Sequence, residues 1–306
     1  MSDVKHVSGF VSIIGRPNAG KSTLLNILVG SKVAITAPKP QTTRNLIQGI
    51  WTAPNAQVIF VDTPGIHQSD SLLNRRMIQE IRTALKERDL LLYVADSTLA
   101  VGDQDRAAVQ LLHGTPTPAL LVLNKIDQLS DKRQLLPLIE AYKALFDFRE
   151  FVPVSAVTGE GLDDLRAAIL RYLPEGPQYF PPDQITDLPE RFLVAELIRE
   201  KVIALTHEEV PHAVAVLVDA WEEKPNITRI AATIYVERPG QKAILIGSKG
   251  AMIKRIGTLA RQEIESMLGR KVYLELFVKV HEKWRESPQF LNQLDWRTMV
   301  GAGRPA

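Results

Sequence analysis

The segment GRPNAGKS at residues 15–22 constrains this chain more than any other. It fits the spacing G-x-x-x-x-G-K-[ST] between an apolar β-branched run and a helical pattern. Such a segment needs a strand, a tight glycine loop and a helix whose first turn faces the loop. Gly15 and Gly20 permit a backbone path that points successive N–H groups at one anion, and the N-terminus of the following helix adds partial positive charge. Lys21 supplies a point charge to β- and γ-phosphates, and Ser22 offers a hydroxyl to Mg²⁺. Arg16, Pro17, Asn18, Ala19 and Thr23 complete the phosphate-binding segment. These residues imply a nucleoside triphosphate without choosing its base.

The first 173 residues alternate short apolar runs with longer helical patterns. Strand candidates fall at residues 10–14, 46–51, 57–61, 90–95, 119–123 and 151–155, and helical patterns near 21–29, 72–87, 103–113, 132–146 and 161–172. This order predicts an α/β domain with a mostly parallel, doubly wound sheet. Ligands of such sheets sit beyond the carboxyl ends of the strands, and each motif here follows a strand. NKID supplies Asn124, Lys125 and Asp127. The Asp127 carboxylate accepts two hydrogen bonds from guanine, from N1–H and from the exocyclic amine. Adenine has neither donor there and leaves a carboxylate oxygen unpaired, so the motif selects GTP or GDP. DTPGI supplies Asp62, a metal-side carboxylate acting through water, with Thr63, Pro64, Gly65 and Ile66 beside the γ-phosphate; the Gly65 N–H is the contact. A plain turn is the other reading of Pro64-Gly65. Ser155 and Ala156 close over the base, with the Ala156 N–H meeting guanine O6.

Five prolines between residues 173 and 190 interrupt any regular pattern, so 174–190 reads as a linker. The expected organisation is a G domain at 1–173, that linker, a second module at 191–285 and a tail at 286–306. The module has α-β-β-α-α-β order. Residues 1–237 hold 24 Lys/Arg against 29 Asp/Glu, a net of −5, whereas residues 238–285 hold 11 against 4, a net of +7. A basic module meeting a polyanion follows, or a solvated basic face. GSKG places Gly247, Ser248, Lys249 and Gly250 between two helical runs, with Lys254 and Arg255 close behind. A G-x-x-G turn between helices is the KH device for approaching a nucleic-acid backbone, and the element order is that of type II KH. The alternative is a tight helix–helix turn. Ile244, Ile246, Ile253 and Ile256 are expected to build an apolar groove, and residues 284–296 to pack back on the module. The chain has no cysteine, which excludes disulfides and thiolate zinc or redox chemistry. It has no apolar run of the roughly 18–20 residues that a spanning helix needs, and its start lacks a signal-peptide core.

The nucleotide motifs resemble those of translational-GTPase-like G proteins, and PQTTR at residues 40–44 brings the chain nearest to the Era-like bacterial GTPases. With the KH-like module, the resemblance runs from about residue 7 to about 285. It implies Thr43 as the switch threonine on Mg²⁺, with Thr42 as the alternative. It also implies binding of 16S ribosomal RNA near its 3′ end and work in 30S ribosomal subunit assembly. A cytoplasmic monomer partly associated with the inner membrane is expected. Ile66 stands where Ras-like proteins carry a water-orienting glutamine, and isoleucine cannot hydrogen-bond a water. Asn18 matches the asparagine that helps bind K⁺ in Era-like relatives, or else it stabilises the loop. The competing function is a signalling G protein whose C-terminal domain binds protein or membrane. An ATP-dependent kinase is opposed by NKID.

Overall fold

The computed structural model describes residues 5–37, 39, 42–65, 71–86 and 88–299. Strand β1 (Val7–Ile14) feeds the phosphate loop and helix α1 (Lys21–Val29), and the hairpin β2 (Ile47–Ala53) and β3 (Ala56–Asp62) follows. Then come α2 (Leu72–Leu85), β4 (Leu90–Asp96), α3 (Asp103–Gln110), β5 (Ala119–Asn124), α4 (Leu135–Lys143), β6 (Glu150–Pro153) and α5 (Leu162–Tyr172). The sheet order is β2-β3-β1-β4-β5-β6, with every pairing parallel except β2 on β3.

Strands β3, β4 and β5 are buried along their whole length, as strands covered on both faces must be. One face packs Tyr93, Leu121 and Leu123 against Ile81, Val109, Leu138 and Tyr142 of α2, α3 and α4. Leu24, Leu25 and Leu28 of α1 and Leu165 and Ile169 of α5 are buried as well. Strand β1 lies centrally, between β3 and β4, so the loop after it opens into the crevice where chain order reverses.

The chain divides into two compact units: Met1–Thr36, Pro40–Ser69 and Asn74–Asp187 form the first, and Ala37–Lys39, Asp70–Leu73 and Leu188–Ala306 the second. The proline-rich stretch is fastened along the first unit as far as Thr186. Ser8 Oγ donates to the Pro177 carbonyl, Gln57 Oε1 accepts the Tyr179 and Phe180 N–H groups, and the Ile50 N–H donates to the Ile185 carbonyl. Thr186 Oγ1 donates to the Gln48 carbonyl at 2.6 Å.

The second unit continues with α6 (Glu190–Leu205), α7 (Val210–Ala213), β7 (Ala215–Lys224), β8 (Ile227–Val236), α8 (Pro239–Ile246), α9 (Ala251–Leu268) and β9 (Val272–Val280). The short α7 is an addition to the expected order. Strand β8 pairs antiparallel with β7 and parallel with β9. Two short helices, α10 (Pro288–Gln293) and α11 (Trp296–Met299), end the described chain. The tail packs back as expected. Trp284 is fully buried with its indole N–H on the Ala213 carbonyl at 2.8 Å, and the Phe290 ring lies 4.8 Å from that of Tyr235. Ile256 is buried, but Ile244 is 49% exposed. The helical period puts Gln241 and Leu245 on the inner face of α8 and turns Ile244 outward.

Candidate functional site

The phosphate loop takes its shape from three left-handed or glycine-only positions, Gly15 (φ 153°), Asn18 (φ 61°) and Gly20 (φ 94°). Gly20 cannot be otherwise, because a Cβ there would lie 2.3 Å from Asn124 Nδ2. Helix α1 starts at Lys21 without a side-chain cap, so its first N–H groups are left for an anion. Lys21 is 6% exposed, and its ammonium donates to the Gly15 and Arg16 carbonyls at 3.0 Å each. Burial pushes this lysine down to about 8, opposed by the charge of Asp62.

Three oxygen side chains meet beside it. Ser22 Oγ donates to Asp62 Oδ2 at 2.6 Å, Thr43 Oγ1 lies 2.8 Å from Ser22 Oγ and 3.3 Å from Asp62 Oδ2, and Asp62 is fully buried. Of the two threonines named above, Thr43 is the one brought to Ser22 and Asp62. Burial pushes the Asp62 carboxyl up, opposed by the Lys21 charge and by the Ser22 and Thr43 hydrogen bonds. Asp62 Oδ1 is buried with no hydrogen-bond partner among the described residues. Thr63 is committed to the scaffold, with its hydroxyl and N–H both on the Ile13 carbonyl. Pro64 and Gly65 are buried, and a Cβ on Gly65 would lie 3.1 Å from Pro17, so this loop rests on the phosphate loop. Ile66 lies outside the described residues, as do Pro40 and Gln41.

The base loops are joined by a side-chain amide. Asn124 Nδ2 donates to the Ala19 carbonyl at 2.8 Å, and Asn124 Oδ1 accepts the Ala156 N–H at 3.0 Å. The Ile126 N–H donates to the Val154 carbonyl, and Ser155 Oγ accepts the Val157 and Thr158 N–H groups, which fixes the second base loop. Asp127 is exposed and makes no hydrogen bond or ion pair with the described residues. Lys125, in left-handed conformation (φ 69°), gives its ammonium to Asp96 Oδ2 at 2.6 Å. Burial works against the Asp96 charge, but hydrogen bonds from Lys125 and Thr98 outweigh it and hold the carboxyl below the usual range. Sequence reading missed Asp96. Its signal was a carboxylate closing the otherwise apolar run LLLYVAD.

In the second unit, Gly247 (φ 69°), Lys249 (φ 50°) and Gly250 (φ 78°) form the turn between α8 and α9. A Cβ on Gly247 would stand 2.8 Å from that of Met252, so the turn is tight enough to require glycine. Ser248, Lys249, Lys254 and Arg255 are exposed around it. Beside them a groove of about 330 Å³ runs between α9 and β9, lined by Ile253, Lys254, Gly257, Arg261, Leu274 and Leu276. Gly257, Arg261, Leu274 and Leu276 were not among the predicted groove residues. The two leucines reach it because β9 alternates its side chains across the edge of the sheet.

Residues 10–125 match the family of 50S ribosome-binding GTPases, and residues 209–285 match the KH domain. The chain is similar to the GTPase Era of Geobacter metallireducens, at 52% identity over 97% of this chain and 100% of the relative. The GTPase Era of Lactobacillus delbrueckii subsp. bulgaricus is 51% identical over 95% of this chain and 97% of its own. A crystal structure of an Aquifex aeolicus Era variant bound to GDP and AlF4⁻ superposes with a TM-score of 0.92 at 44% identity, covering 95% of this chain and 99% of that one. A structure of Era with MgGDPNP and nucleotides 1506–1542 of 16S ribosomal RNA gives 0.93 at 43% identity, with the same coverage.

The free Asp127 carboxylate yields a direct test. Asp127→Asn reverses the donor–acceptor match at one edge of the base, so the variant is expected to lose GDP affinity by at least about a hundredfold and to gain xanthosine diphosphate binding. Competition binding measures both, and unchanged GDP affinity contradicts the assignment.

Proposed function

The chain belongs to the GTPase Era family, and from that premise we propose that it is a GTP-hydrolysing switch whose KH unit binds 16S ribosomal RNA near its 3′ end and acts in 30S subunit assembly. The carrying observation is the presence in one chain of a guanine-reading phosphate-loop site and a glycine-turn groove. The solved Era that holds a GTP analogue and 16S RNA together covers both units at 43% identity. The family description for residues 10–125 names the large subunit, but that match stops short of the KH unit. The KH match favours RNA over a protein- or membrane-binding C-terminal domain.

In this reading the Lys21 ammonium meets the phosphates while keeping the Gly15 and Arg16 carbonyls, and the phosphates take N–H groups of the phosphate loop and of the first turn of α1. Ser22, Thr43 and, through water, Asp62 hold Mg²⁺. The donor set is all oxygen, and the unpartnered Asp62 Oδ1 leaves an acceptor for such a water. When bound, Mg²⁺ neutralises charge on the β- and γ-phosphate oxygens. Gly65 gives its N–H to the γ-phosphate, and loss of that phosphate frees Thr43 from its place beside Ser22. Asp127, Lys125, Asn124, Ser155 and Ala156 read the base, with the Ala156 N–H meeting guanine O6. Gly247, Ser248, Lys249 and Gly250 lay bare backbone against RNA, and Lys254 and Arg255 pair with phosphates. The protein works as a cytoplasmic monomer with peripheral contact to the inner membrane; among the described residues no helix is long and apolar enough to cross a bilayer.

Crosslinking the protein to total RNA in its GTP and GDP forms, followed by sequencing, tests this function. Reads at the 16S 3′ end that depend on the nucleotide are expected, and their absence in both forms contradicts it. Lys249→Glu is expected to weaken that RNA contact about tenfold and to lower its salt dependence, while GTP affinity stays as in the parent. Undiminished RNA affinity excludes the glycine turn as the clamp. A K⁺ ion held at Asn18 would supply the positive charge that an arginine finger supplies in other G proteins, and Ile66 offers no hydrogen bond to water in its place. GTP turnover is therefore expected to be faster in K⁺ than in Na⁺ at equal ionic strength, and equal rates remove the ion from the account.

A further inference from the structure

Four elements of the first unit converge on a carboxylate that the nucleotide chemistry above does not use. Asp105, in the first turn of α3, is 1% exposed. Its Oδ1 accepts the Tyr142 hydroxyl of α4 at 2.8 Å and the Tyr93 hydroxyl of β4 at 3.3 Å. Its Oδ2 accepts the Gly102 N–H at 3.1 Å and the Arg16 guanidinium of the phosphate loop at 3.3 Å. Burial and the neighbouring Asp105 charge push both phenols well above their usual range, so they stay hydrogen-bond donors at any working pH.

Capping α3 requires only the Gly102 bond. The two tyrosines and the arginine have a different consequence. Among the described residues Arg16 is the cation in contact with this buried carboxylate, and its own carbonyl accepts the Lys21 ammonium at 3.0 Å. One residue therefore links a fixed charge behind the loop to the lysine inside it. Without the Asp105 charge, Arg16 loses the ion pair that holds it against the core. Without Arg16, a carboxylate is left buried and uncompensated, which forces the loop or α3 to shift.

We propose that Asp105 is a positioning residue for the phosphate loop, acting through Arg16 to set the place of Lys21. Tyr93 and Tyr142 fix the carboxylate in turn, so the loop is referenced to the packed core of β4, α3 and α4 rather than to solvent. The proposal rests on the GTPase reading above.

A double-mutant cycle tests it. GDP affinity is measured by calorimetry in Mg²⁺ for the parent, Asp105→Asn, Arg16→Met and the double variant, together with thermal unfolding of the nucleotide-free proteins. Each single change is expected to weaken GDP binding about tenfold, with the double no weaker than the worse single, a coupling of about 1.4 kcal/mol. Arg16→Lys keeps the charge and is expected to retain most of the affinity. Tyr142→Phe, which removes only a hydroxyl, is expected to lose affinity in the same direction and by less. An Asp105→Asn protein that melts earlier yet binds GDP within about twofold of the parent shows a mere helix cap and overturns the proposal. So do losses that multiply to about a hundredfold in the double variant. Should Asp105→Asn fail to fold, equal affinities for the parent, Arg16→Met and Tyr142→Phe overturn it equally. A parent that binds no GDP overturns the GTPase reading itself.

Discussion

The nucleotide site hangs on the side-chain amide of Asn124. Its two ends reach the Ala19 carbonyl in the phosphate loop and the Ala156 N–H in the last base loop, while its backbone closes β5. Three loops that follow three different strands are thereby held at one spacing. Each bond contributes about 0.5–1.5 kcal/mol net, but an unpaired buried amide costs about 1–3 kcal/mol, so the arrangement is fixed more firmly by what its loss would cost than by what it adds. The amide also dictates sequence around it. It occupies the space that a Cβ on residue 20 would need, which makes Gly20 a packing requirement as well as a conformational one.

Around that clamp the site buries charged groups that protein atoms satisfy only in part. Lys21 is buried with two carbonyls as partners, and Asp62 is buried with one oxygen unpartnered. Each charge opposes the desolvation of the other, and neither is fully satisfied. In the proposed function, phosphate oxygens and a hydrated cation complete both. Such groups trade some stability for binding, as functional sites commonly do. The Lys125–Asp96 pair shows the complementary strategy, in which the charge of Lys125 is paired within the protein while the neighbouring Asp127 is exposed.

What the sequence made legible was local. The phosphate loop, NKID and DTPG each end a strand, and strand ends carry both an apolar run and a chemical motif. Residues 21–29 and 119–123 are expected as helix and strand and are so in the structure. The less legible features were those set by tertiary approach. Asp96 and Asp105 lie far in sequence from Lys125 and Arg16, and no spacing rule joins them. Ile244 and Leu245 are adjacent apolar residues, and only helix phase decides which is buried. The proline-rich stretch looked like a spacer because proline breaks regular structure, yet Gln57 and Ser8 supply the hydrogen bonds that tie it to the first unit. Proline content predicted irregularity correctly, but irregular backbone can still be bound.

Asn124 assembles the site before nucleotide arrives. Amide hydrogen exchange of the nucleotide-free protein at Ala156 tests it most directly, with the Val154 amide, bonded to the Leu123 carbonyl, as the internal reference. The Ala156 amide is expected to be protected at least about a hundredfold over a free peptide, with that protection lost in Asn124→Ala while Val154 stays protected. An Ala156 amide that exchanges freely in the parent, or one protected equally in the variant, contradicts it.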